Sequence, residues 1–169
     1  MDLEQALKTA IEFENKVRDV YMEACEKASD DTGRKVFKAL ADEEQGHVDY
    51  LESRLAEWRR TGAIEVESLD TVVPSREHIE RGVDAMEKSM TEHDRGEEIR
   101  MLQKALVAEI ETANFYQRMV KELPEEHRPL FKRFLEIEEG HQLIVQTEID
   151  QLLGTGFWFD FQEFNLEAG

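Results

Sequence analysis

Cysteine is almost missing from this chain: Cys25 stands alone among 169 residues. No disulfide can form within the chain, and a lone thiol suits a reducing, cytoplasmic setting. Cys25 itself reads as a small apolar side chain beside a helix seam rather than a redox group. Breakers are scarce too, with 9 Gly and 3 Pro, which leaves room for long helices. No run of sequence approaches the ~18 apolar residues of a membrane span. The N-terminus, MDLEQALKTAIEFE, lacks the basic start and apolar stretch of a secretion signal. Basic residues are outnumbered, 21 against 39 acidic ones, for a net charge of -18. That charge repels phosphate backbones and anionic lipid surfaces, so neither nucleic acid nor membrane is expected as a partner.

What the chain does have is helix-forming sequence in four long stretches. Helices are expected from Leu3 to Ala28, from about Arg34 to Thr61, from about Glu97 to just before Pro124, and from Pro129 to Gly154. Ser29, Asp30, Asp31, Thr32 and Gly33 read as the first connection. Asp94 and Glu97 have the spacing of a capping box ahead of the third helix. Residues 62–95 form a crossover containing Pro74 and a short amphipathic helix from about Arg76 to Met90. A link of that length can run the full length of a bundle, so the second and third helices can lie parallel. Residues 1–154 thus read as one all-α bundle of four helices. Residues 155–169 read as an aromatic tail packing on the bundle or on a partner subunit. The alternation of Phe157, Phe159 and Phe161 suggests that this tail is extended.

The two halves repeat each other. IEFENKVRDVY (11–21) matches LVAEIETANFY (106–116), and VFKALADEEQGH (36–47) matches LFKRFLEIEEGH (130–141). Each half therefore supplies one helix with Glu-x6-Tyr and one with Glu-Glu-x-Gly-His. Two copies of a helical hairpin point to a pseudo-twofold bundle.

Steps of four and three place glutamate in the middle of every core-facing seam. Glu14 falls between Ala10 and Val17, Glu44 between Leu40 and His47, Glu109 between Leu106 and Ala113, and Glu138 between Phe134 and His141. Four carboxylates in one buried layer are costly and repel one another, and no Lys or Arg lies on these seams. Two divalent cations would balance four carboxylates and two neutral imidazoles. Glu and His three residues apart share a helix face, so Glu44–His47 and Glu138–His141 can each bind with both side chains. Oxygen-rich ligation with one nitrogen per metal suits iron or manganese. This donor set is the known one of di-metal carboxylate bundles, so it matches an existing arrangement. Tyr21 and Tyr116 lie two turns beyond their glutamates. Each either hydrogen-bonds a carboxylate as an outer support or packs in the core with its tip exposed. Glu12, Glu43, Glu111 and Glu139 read as surface charge, and His78, His93 and His127 as solvated.

The paired Glu-x6-Tyr and Glu-Glu-x-Gly-His segments resemble the rubrerythrin branch of the ferritin-like superfamily, over most of residues 3–60 and 97–153. The resemblance implies a non-haem di-iron site, with Glu14, Glu44, His47, Glu109, Glu138 and His141 on the ligand positions. Two iron ions per chain are expected, with manganese or another divalent metal as the alternative. The resemblance also implies reaction with peroxide or dioxygen, an electron donor such as a rubredoxin, and a homodimer. Two departures stand out. Rubrerythrins usually carry a four-cysteine rubredoxin domain, absent from this sequence, and often a further glutamate three residues after the third helix's ligand, where this chain has Thr112. The leading expectation is a di-iron oxidoreductase that reduces hydrogen peroxide. The alternative is an iron-handling protein that binds and oxidises ferrous iron for storage or delivery.

Overall fold

The computed structural model describes residues 1–86 and 96–162. Asp94, His93, the end of the expected short helix and residues 163–169 lie outside them. Among the described residues five α-helices carry the fold: α1 (Leu3–Lys27), α2 (Asp31–Thr61), α3 (Arg76–Met86), α4 (Gly96–Glu122) and α5 (Arg128–Gly154), with one 3-10 turn at Glu125–His127. There is no strand among the described residues.

The helix ends follow local chemistry. Asp2 caps α1 by accepting the Gln5 N–H at 2.8 Å. Asp30 caps α2 by accepting the Gly33 N–H at 2.9 Å. The cluster at 29–33 is therefore only half a connection, because its last three residues form the first turn of α2. α2 stops at Gly62, whose φ of 69° is the left-handed conformation that glycine adopts without strain. Pro129 stands inside the first turn of α5, where its missing N–H costs nothing.

α1–α2 and α4–α5 are hairpins, and α1 packs on α4. Cross-helix pairs set the directions. Lys16 meets Glu111 at 2.5 Å and Lys104 meets Glu23 at 3.2 Å, so α1 and α4 run antiparallel. His47 lies against His141 and Tyr50 against Phe134, so α2 and α5 are antiparallel as well. It follows that α2 and α4 run parallel, as the long crossover allows. That crossover is pinned along the α2/α5 side. Arg133 donates to the Leu69 carbonyl at 2.9 and 2.7 Å, and Arg54 to the Glu65 carbonyl at 2.7 Å.

The apolar core falls into two clusters. One contains Leu7, Leu51, Tyr116, Phe131 and Phe134, the other Val17, Tyr21, Leu40, Leu102 and Val145. The glutamates and histidines of the seams occupy the layer between them. Trp158, Phe159 and Phe161 of the tail complete the second cluster, so their cover comes from their own bundle. The expected alternation fails, because Trp158 and Phe159 are adjacent and both buried. Two buried carboxylates that sequence reading passed over explain this. Glu98 accepts the Trp158 indole N–H at 3.2 Å, and Glu148 accepts the Phe159 amide at 2.9 Å. Burial pushes the Glu148 carboxyl well above the usual carboxylate range. The homodimer expectation therefore draws nothing from these aromatics.

Gly33 is where tail and bundle meet. A Cβ there would lie 2.6 Å from the Trp158 ring, whereas a Cβ at Gly46, in the same helix, would meet nothing within 4 Å. Alanine favours a helix over glycine at both positions, so the two substitutions separate propensity from packing. Gly46→Ala should stabilise the protein by about 0.5–1 kcal/mol. Gly33→Ala should cost about 1–3 kcal/mol through overpacking and should shift Trp158 fluorescence toward that of an exposed indole. Chemical denaturation of both variants checks this; equal stabilisation by both would remove the tail contact.

Candidate metal centre

Each of the four long helices brings its central glutamate to the same layer. Glu14, Glu44, Glu109, Glu138 and His141 are 0% exposed and His47 1%. Their polar atoms form two groups, Glu14–Glu44–His47–Glu138 and Glu44–Glu109–Glu138–His141, within each of which one atom per residue lies within 4.8 Å of the others. Glu44 and Glu138 belong to both. Glu14 with His47 completes one group, and Glu109 with His141 the other. All six residues singled out from the sequence are brought together.

The imidazoles turn Nδ1 toward the carboxylates. His47 Nδ1 is 3.2 Å from Glu14 Oε2 and 3.1 Å from Glu44 Oε2. His141 Nδ1 is 2.7 Å from Glu44 Oε1 and 3.4 Å from Glu109 Oε1. Glu109 Oε2 and both Glu138 oxygens nevertheless have no hydrogen-bond partner, although each is buried, and the close contact of Glu44 Oε1 with His141 Nδ1 is not aligned as a hydrogen bond. Buried polar atoms are ordinarily satisfied. A converging set of unsatisfied carboxylate oxygens with an imidazole nitrogen per group is what a pair of divalent cations requires, so these residues fit a di-metal site.

Tyr21 and Tyr116 are fully buried and each reaches across to the other half. The Tyr21 hydroxyl donates to Glu109, and the Tyr116 hydroxyl donates to Glu14. The antiparallel run of α1 and α4 makes this exchange, since it sets residue 21 beside 109 and residue 14 beside 116. Burial, then the neighbouring carboxylates, push both phenols well above their ordinary value, so they stay protonated as donors. Thr112 is buried one turn beyond Glu109, and its hydroxyl donates to the Ala108 carbonyl at 2.8 Å.

Glu43 is not surface charge. Its side chain is 6% exposed, with Oε1 facing both histidines. Oε2 accepts the Val72 N–H of the crossover at 3.2 Å. Burial alone would raise this carboxyl, but His141 and His47 outweigh it and hold it below the usual carboxylate range. One signal was available: Glu43 is four residues before His47, on the same helical face. The internal repeat conceals it, because the matching residue is Ile137. Glu12, Glu111 and Glu139 are exposed. His127 is more enclosed than its place in a connection suggests, packing edge-on against Trp58 at 5.5 Å.

Without cations, protons must settle the charge. Burial and neighbouring carboxylates push Glu44 up to about 8 and Glu138 well above the ordinary range. Burial would lower both histidines, yet the surrounding carboxylates raise them well above 6.5. For Glu14, burial is outweighed by His47 and by its hydrogen bonds, which lower it. From its ordinary value of 4.5 up to about 8, the folded chain holds a proton on Glu44 that the unfolded chain has lost, and the same holds for the histidines above 6.5. Raising the pH through this range therefore favours unfolding of the metal-free protein. Bound cations compete with those same protons, so loading strengthens as pH rises. In chelator, the melting temperature should fall between about pH 6 and 9, and divalent metal should abolish the fall. A chelated protein whose melting temperature is flat or rising over that range would contradict this electrostatic picture.

Residues 5–149 match a family model described as Rubrerythrin, a span that takes in both hairpins and the whole carboxylate–histidine layer. No curated protein and no solved structure gives a match. No described helix is long and apolar enough to cross a membrane. The family match over most of the chain agrees with the paired-hairpin helical fold and with the buried Glu/His donors at its centre: the chain belongs to the rubrerythrin family, within the ferritin-like di-iron proteins.

Proposed function

We propose that this protein is a di-iron oxidoreductase that reduces hydrogen peroxide to water with electrons from a separate donor protein such as a rubredoxin. The observation that carries the reading is the pair of buried donor groups sharing Glu44 and Glu138. In this reading Glu14 and His47 would hold one iron and Glu109 and His141 the other, with Glu44 and Glu138 within reach of both. Two ferrous ions held there would supply the two electrons that, with two protons, convert one peroxide into two waters.

The chain's own residues do the rest. Its apolar clusters on either side keep bulk water from the layer. Tyr21 and Tyr116 orient Glu109 and Glu14 by donating to one oxygen of each, leaving the other oxygen for a cation. In the metal-free layer their raised phenols keep their protons and so act as donors to these carboxylates.

The alternative reading is a ferroxidase that takes up iron for storage or delivery. The charge of -18, which draws cations, speaks for it, as does Thr112 in the position of a further carboxylate. Anaerobically reduced, iron-loaded protein should be oxidised faster by hydrogen peroxide than by dioxygen in stopped-flow absorbance, and should turn over only when a donor protein is added. Faster oxidation by dioxygen, followed by uptake of more than two irons per chain, would establish the alternative instead. Thr112→Glu should raise the peroxide rate several-fold if the missing carboxylate limits this chain. An unchanged rate, with two metals still bound, would show that Thr112 is no handicap.

A further inference from the structure

An imidazole that gives its Nδ1 lone pair to a cation carries its proton on Nε2, and that N–H needs an acceptor when it is buried. Both Nε2 atoms here are buried without a hydrogen-bond partner. The rings of His47 and His141 lie nearly parallel, 11° apart with centroids 5.7 Å from each other. This geometry sets the two Nε2 atoms side by side above one atom, Glu43 Oε1. It is 3.6 Å from His47 Nε2 and 3.4 Å from His141 Nε2, and has no hydrogen-bond partner of its own. These are charge contacts at the edge of hydrogen-bond distance, and each becomes a hydrogen bond when its ring turns the N–H onto the oxygen.

The repeat makes the arrangement informative. Strict symmetry would give each histidine its own carboxylate four residues earlier in its helix. α5 has Ile137 there, so α2 alone supplies the acceptor for both halves. The second oxygen of Glu43 is taken by the Val72 amide, which fixes the carboxylate from the crossover side.

We propose that Glu43 is a positioning residue shared by the two metal positions: it accepts Nε2–H from both His47 and His141, holds both rings with Nδ1 toward the cations, and so couples the loading of one position to the other. The proposal rests on the di-metal reading above. An ion entering one group fixes Glu43 against that group's histidine. The same oxygen then presents an oriented acceptor to the second histidine, so the second ion binds to a ring already in place.

The test is an anaerobic titration of metal-free protein with cobalt(II), followed by its visible bands and by calorimetry, in wild type and in Glu43→Gln. Wild type should take up two equivalents in one cooperative transition. Glu43→Gln keeps the size of the side chain but offers a single acceptor oxygen and a competing NH2. Affinity should fall roughly 10–100-fold at both positions, with the bands of both ions altered and the transition split into two steps. Uptake of two equivalents with unchanged affinity overturns the proposal while the di-metal site stands; weakening at one position alone overturns the sharing. Wild type that binds fewer than two equivalents would instead defeat the di-metal reading. A second measurement needs no variant: in zinc-loaded wild type, nitrogen NMR should find Nε2 protonated and slow to exchange in both histidines. An unprotonated or freely exchanging Nε2 in either one overturns the proposal.

Discussion

Four carboxylates in one solvent-free layer form the constraint around which this protein is organised. Glu14, Glu44, Glu109 and Glu138 have no exposed surface, and the seams that carry them offer no Lys or Arg in compensation. A single uncompensated buried carboxylate costs several kcal/mol, enough to consume much of a domain's net stability. The layer can exist only with positive charge inside it, as metal ions or as protons. In the metal-free state the shifts of Glu44, Glu138, His47 and His141 all run toward the protonated form. Cations therefore replace protons in a site whose geometry already exists, held from both sides by apolar clusters.

The repeat supplies the layer, and departures from it supply what surrounds the layer. The two tyrosine–glutamate pairs keep the twofold relation, each crossing between α1 and α4. Glu43 breaks it, with Ile137 as its counterpart. A second break lies two turns beyond the histidines, where Arg54 and Glu148 are equivalent by sequence. Arg54 donates to a crossover carbonyl, and Glu148 accepts a tail amide. The same position thus carries a donor where the neighbouring segment offers C=O and an acceptor where it offers N–H. The halves have diverged where each must hold a different strap of chain.

This division explains what could be read in advance. The bundle, its directions and the six converging donors were legible because they repeat, and because glutamate on a buried seam stands out against apolar neighbours. The start of α2 was misplaced by three residues, since Gly33 looks like a breaker until Trp158, far along the chain, is seen packed on it. The tail's buried set was hidden for the same reason: Glu98 and Glu148 decide which aromatics turn inward, and neither belongs to a local pattern. Glu43 escaped because a search by repeat sees only what both halves share. The exchange of tyrosine partners appears only when the antiparallel run of α1 and α4 is combined with the spacing along each helix.

The central claim is that divalent metal, rather than protons alone, neutralises this layer in the working protein. Anomalous diffraction at the iron edge, from crystals of protein produced without added metal, tests it most directly. The account predicts two iron peaks per chain, one among Glu14, Glu44, His47 and Glu138 and one among Glu44, Glu109, Glu138 and His141. An absent signal, a single peak, or peaks away from these six residues would contradict it.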